Sequence, residues 1–141
     1  MAASTTKEYD LEERLLKYAA QIMRLVESLP DARAGNHVAG QLLRSGTSPL
    51  PNRGEAHAAK SRNDFIHKLS ICLKELKESR RWLRLTRRVP LVDSSHPLDS
   101  VLEETEELMP IFAASVRTAK SRKLSVSADS SIALESCSWI A

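Results

Sequence analysis

Apolar positions recur at alternating steps of three and four through most of this chain, the spacing that lines side chains along one face of an α-helix. Leu11, Leu15, Tyr18, Ile22, Leu25 and Leu29 form the first such stripe and predict a helix over residues 7–29, stopped by Pro30. A second helix is expected to start at Asp31 as N-cap, with Val38, Leu42 and Ser45 on one row and Ala39, Leu43 and Gly46 beside it. Pro49 and Pro51 each remove a backbone donor, so this helix should kink or break there, with helical pattern resuming over residues 53–60. The third stripe is the clearest: Phe65, Leu69, Cys72, Leu76, Ser79, Leu83 and Thr86 predict a helix over residues 61–88, a rod of about 42 Å. Ser61 followed by Asp64 resembles a capping box at its start, and Pro90 ends it. After a loop over residues 89–97, a fourth helix is expected near Leu98, with Val101 or Leu102, then Thr105, Leu108, Phe112, Val116 and Ala119 inward and a bend near Glu106 imposed by Pro110.

Four amphipathic rods with short links predict an all-α, antiparallel up-down four-helix bundle over residues 7–123. Residues 1–6 read as a flexible lead, and residues 124–141 as a mobile Ser-rich tail in which Trp139 and Ile140 cling locally. Composition agrees with the fold class. The chain of 141 residues is 42% hydrophobic but only 4% aromatic, and Leu, Ala, Glu, Lys and Arg dominate where a sheet would want β-branched and aromatic residues. No apolar run approaches the ~20 residues needed to span a bilayer. The N-terminus lacks the charged start and apolar stretch of a secretion signal. Cys72 and Cys137 match no metal or redox spacing, and Cys72 sits on an apolar face as a small core residue. The expected compartment is the cytoplasm.

Several blocks carry a resemblance to a known family. These are Gln41-Leu42-Leu43-Arg44-Ser45-Gly46-Thr47-Ser48-Pro49 with Asn52 and Glu55-Ala56, and Ser61-Arg62-Asn63-Asp64-Phe65-Ile66-His67-Lys68-Leu69-Ser70-Ile71. Leu73-Lys74-Glu75-Leu76-Lys77-Glu78, Trp82-Leu83, and Glu107-Leu108 with Ile111-Phe112 and Ser115-Val116-Arg117-Thr118-Ala119-Lys120 continue it. Over residues 10–123 the chain resembles the four-helix-bundle proteins related to the 23S rRNA intervening-sequence protein. Pro51 and Gly54 stand where relatives more often carry helix formers, and Pro110 interrupts a usually smooth last helix. The resemblance implies a ring-like homopentamer. It also extends to the accessory protein of diversity-generating retroelements, which implies RNA, DNA or a reverse-transcriptase-like protein as partner. It implies no catalytic residue.

Charge sharpens this picture. The chain carries a net charge of +3, yet residues 61–88 hold nine Lys or Arg against three Asp or Glu, a net +6. Lys74, Lys77, Arg81, Arg84 and Arg88 are spaced 3, 4, 3, 4 and form one row nearly opposite the Leu69–Leu76–Leu83 seam. Such a row, roughly 20 Å long, could track a phosphate backbone. It could equally be a solvated face, ion-paired with Glu103, Glu104, Glu106 and Glu107 of the fourth helix within or between subunits. No aromatic platform accompanies the row, which argues against base stacking on single strands. A second row, Ile71, Glu75, Glu78 and Trp82, flanks the seam and suits a subunit interface, although Trp82 could instead cap the chain's own core.

An active site does not emerge. His37, His57, His67 and His96 form no ligand set, and His67 near Asp64 reads as a surface or capping contact. Four glycines leave little room for a phosphate-cradling loop. Ser48 has no base near it in sequence and reads as a hydroxyl satisfying carbonyls freed by the proline break, which Arg44 and Glu55 help to fix. Neither a cofactor nor a metal is expected. The function expected is therefore non-enzymatic: a homo-oligomeric bundle binding nucleic acid or a nucleic-acid enzyme through its basic face. The competing reading is a structural or protein-interaction scaffold without nucleic-acid affinity.

Overall fold

The computed structural model describes the backbone of residues 2–93 and 95–128, and the side chains of residues 10–93 and 97–122. The elements in chain order are α1 (Ala2–Glu27), α2 (Arg33–Thr47), α3 (Pro49–His57), α4 (Arg62–Arg88) and α5 (Ser95–Ala128). Among the described residues there is no strand, and no helix is long and apolar enough to cross a membrane.

The proline break is narrower than the sequence suggested. Ser48 keeps helical dihedrals (φ −64°, ψ −37°), and α3 restarts at once with Pro49 in its first turn, where a missing N–H costs nothing. Asn52 then covers the Ser48 carbonyl twice, from its backbone N–H (3.2 Å) and its side-chain amide (2.9 Å). The second rod is thus α2 and α3 end to end, with a kink between them. Asp31 does not cap α2. The N-cap is Ala32, in an extended conformation with no side-chain bond, while the Asp31 carboxylate accepts from the Asn36 amide at 3.0 Å.

Two boundaries move outward. The backbone is helical from Ala2, so residues 2–6, expected as a flexible lead, continue α1. The last helix begins at Ser95 and runs through Pro110 to Ala128, so residues 124–128 belong to it rather than to a tail. Residues 129–141, with Cys137, Trp139 and Ile140, lie outside the described residues.

The core draws on every rod: Leu15 and Ile22 of α1, Leu42 of α2, Leu76 and Leu83 of α4, and Leu108 and Phe112 of α5. Gly46 lets α2 approach α1 closely, since a Cβ there would meet the Ile22 side chain at 2.7 Å. One polar layer crosses this core with a side chain from each of the four rods. The Tyr18 hydroxyl lies 2.7 Å from Thr105 Oγ1 and also contacts Ser79, and Ser79 donates to Ser45 at 2.9 Å. Burial pushes the Tyr18 phenol up to about 12, so it stays protonated and can donate. Cys72 is fully buried as expected, with its thiol also pushed up to about 12 by desolvation.

Candidate nucleic-acid interface

The outward-facing chemistry is set by α4. Ser61 adopts an extended N-cap conformation and its hydroxyl accepts from the Asp64 N–H at 3.1 Å, which fixes where the helix starts. The whole Phe65, Leu69, Cys72, Leu76, Ser79, Leu83, Thr86 stripe is buried. The helix is thereby locked in rotation, and residues about half a turn from the stripe must face out.

Lys74, Lys77, Arg81, Arg84 and Arg88 all lie on that outer side and are exposed. Lys77, Arg81, Arg84 and Arg88 make no ion pair with another described residue; Lys74 acts electrostatically on the adjoining Glu75. The acids of α5 do not reach the row. Glu104 is taken by Arg14 of α1, with Arg14 Nε 3.0 Å from its carboxylate, and Asp99 pairs with Arg87 at 3.0 Å. Four cations in line, Lys77, Arg81, Arg84 and Arg88, at roughly 5 Å of rise per charge, therefore remain available to an external anion.

The flanking row behaves differently. Glu75 is buried and Glu78 half-buried because α2 lies over them. Arg44 grips both oxygens of Glu78 at 2.9 and 3.0 Å, approaches Glu75 at 3.5 Å and is steadied by Gln41 at 3.2 Å. Burial, and next the charge of Glu78, hold the Glu75 carboxyl above the usual glutamate range, with Arg44 partly offsetting them. The Trp82 ring meets His37 of α2 edge-on at 5.8 Å, and its Nε1 is buried without a hydrogen-bond partner. Ile71 is half-buried. Three of the four residues suggested for a subunit interface thus already pack against α2. The same row runs on to Leu85 and Val89, which are 44% and 56% exposed.

Some features escaped the sequence reading. Arg44 and Glu55, expected to act at the proline break, both reach across to α4: Arg44 as above, Glu55 to Lys68 at 3.2 Å. Ser48 was expected to use its hydroxyl on freed carbonyls. Instead Thr47 Oγ1 donates to the Leu43 carbonyl at 2.7 Å, and Ser48 Oγ accepts from Asn52. Arg53, a cation given no particular role, is buried near Cys72. A shallow cleft of about 260 Å³ opens between α4 and α5 beside Pro110, lined by Leu73, Lys77, Arg80, Glu106, Met109 and Ala113. No periodicity marks these features, because each depends on which residue of one helix stands opposite which residue of another.

Comparison with known proteins agrees with the geometry. A crystal structure of a protein of unknown function from the S23 ribosomal protein family of Bacteroides thetaiotaomicron superposes with a TM-score of 0.70 at 33% identity, covering 76% of this chain and 98% of that one. No curated protein matches. The model of the 23S rRNA-intervening sequence protein family matches residues 7–114, a span that holds the bundle helices from α1 through Pro110 and includes the whole of α4. This chain belongs to the 23S rRNA-intervening sequence protein family.

Proposed function

We propose that this protein is a non-enzymatic, cytoplasmic, homo-oligomeric bundle that binds the phosphate backbone of nucleic acid, or a nucleic-acid-processing partner such as a reverse-transcriptase-like protein, through the outer face of α4. The observation that carries the reading is that Lys77, Arg81, Arg84 and Arg88 pair with no other described residue: they stay exposed although α5 offers carboxylates one helix away. Uncompensated like charges at i, i+3 and i+4 repel one another and cost stability, a cost that contact with a polyanion removes. The family's own description names 23S rRNA, which supports a nucleic-acid context.

Contacts between the second rod and α4 support the up-and-down course of the bundle. Ser45 meets Ser79, Pro49 meets Cys72 and Glu55 meets Lys68, a register that supports an antiparallel run of α2 and α3 against α4. A ring-like homopentamer of such bundles would repeat the basic row around its surface and multiply its field.

The reading is tested by fluorescence anisotropy with labelled RNA and DNA in a salt series. Binding at ~50 mM salt that weakens steeply as salt rises is expected, and absence of binding to both at low salt would end it. A second reading, a protein-interaction scaffold without nucleic-acid affinity, is favoured by the exposed Leu16, Met23, Leu85 and Val89. Self-association without any nucleic-acid binding is the outcome that would select it.

A further inference from the structure

Four of the large apolar side chains that the described surface exposes fall into two pairs. Leu16 and Met23, 51% and 53% exposed, stand two turns apart on α1 with the half-buried Ala20 between them. At about 100° per residue this row points away from the Leu15–Tyr18–Ile22 stripe that α1 buries. Leu85 and Val89, one turn apart, stand at the C-terminal end of α4. Isolated apolar residues on a surface need no explanation, but paired rows on the outer faces of two helices mark contact surfaces.

The rims of the two rows carry opposite charge. The α1 row is bordered by Glu12, Glu13 and Glu27, none ion-paired with another described residue, with Lys17 and Arg24 further round. The α4 row is bordered on one side by Arg81 and Arg88, likewise without an ion pair to another described residue. One row is apolar with an acidic rim and the other apolar with a basic rim. Neither surface complements itself, since two copies of either would bring like charges together, but each complements the other. Surfaces that match each other and not themselves associate heterologously, head to tail, and such contacts close into rings or run into filaments.

We propose that two copies of this chain meet head to tail, with the Leu16–Met23 face of α1 in one copy seated on the Leu85–Val89 end of α4 in the next. This rests on the self-assembly half of the proposed function and names its two surfaces. It moves the contact along the Ile71–Glu75–Glu78–Trp82 row to its exposed end, beyond the part that α2 covers. Lys77 and Arg84 face away from Leu85 and Val89 and stay open to phosphate, while Arg81 and Arg88 stand at the boundary between the two uses.

The test uses two double variants, Leu16→Asp with Met23→Asp and Leu85→Asp with Val89→Asp. All four positions are exposed, and unchanged circular dichroism checks that each variant folds. Light scattering after size exclusion should give a multi-chain mass for the wild type and the single-chain 15.7 kDa for each variant alone. An equimolar mixture of the two variants should recover a mass of two chains, because one intact pair of faces survives between them. A wild type that is monomeric removes the self-assembly reading as a whole. An oligomeric wild type whose variants keep its mass, or whose mixture stays at single-chain mass, overturns only the two surfaces named here.

Discussion

Two charged rows run along α4, about a third of a turn apart, and they meet opposite fates. On one flank Glu75 and Glu78 are covered by α2 and clasped by Arg44, so their charge is spent inside the chain. On the outer side Lys77, Arg81, Arg84 and Arg88 stand in water without a partner among the described residues. Both rows have the same spacing in sequence, and both looked equally available for a partner. Gly46 lets α2 close on α1, and Arg44 of α2 lies over the glutamates, whereas on the basic side the described residues leave the row exposed. A charged row acquires a structural role when a neighbouring rod covers it and stays free for binding when none does.

That contrast can be broken at its hinge. Gly46→Val would drive a branched side chain into Ile22 and force α2 outward, and is expected to cost about 2 kcal/mol in chemical denaturation. An effect below ~0.5 kcal/mol would mean that α2 is not held where Arg44 needs it. Arg44→Ala is expected to cost about 1 kcal/mol, modest because the arginine is half-exposed, yet real because it leaves Glu75 buried without its cation.

The covered flank should also leave a signature in pH. The folded chain holds the Glu75 proton more tightly than the unfolded chain, so the folded state binds more protons over the window above the ordinary glutamate value of 4.5. Stability contributed at this site is therefore present at low pH and lost as pH rises through that window. Glu75→Gln should remove the loss, so that wild type and variant diverge in melting temperature as pH rises from 4.5, with the variant ahead. Parallel melting curves across the window would show that Glu75 is not desolvated. The smallest effect is expected on the open side: Arg81→Glu with Arg84→Glu should leave stability within ~0.5 kcal/mol of wild type, because neither side chain pairs with another described residue of the chain.

How far the sequence reached follows the same division. The seam of α4, its cap at Ser61 and its end before Pro90 were legible because one helix determines them. So were the buried positions of Tyr18, Ser45, Ser79 and Thr105 on their stripes. What stayed hidden depends on register between rods. That these four polar groups meet in a single layer, that Arg44 reaches Glu78, and that Leu85 is bare while Trp82 is covered all require knowing which levels of two helices coincide. The N-cap of α2 was misplaced for a local reason, since Asp31 spends its carboxylate on the Asn36 side chain rather than on the helix N-terminus. The basic row itself was legible residue by residue, because exposure opposite a buried seam follows from helix geometry alone. Its lack of partners was not, since that turned on where the acids of α5 point: Glu104 goes to Arg14, and Glu103, Glu106 and Glu107 stay exposed without an ion pair to another described residue.

The open cations of α4 carry the proposed function, and the salt dependence of nucleic-acid binding probes them most directly. Each phosphate contact contributes about 0.9 to the slope of log Kobs against log salt on duplex DNA. Replacing Arg81 and Arg84 by Glu should lower the magnitude of that slope by roughly 2 and weaken binding alike for unrelated sequences. A slope unchanged by the double substitution would contradict the account, since it would mean that the phosphates lie against some other part of the protein.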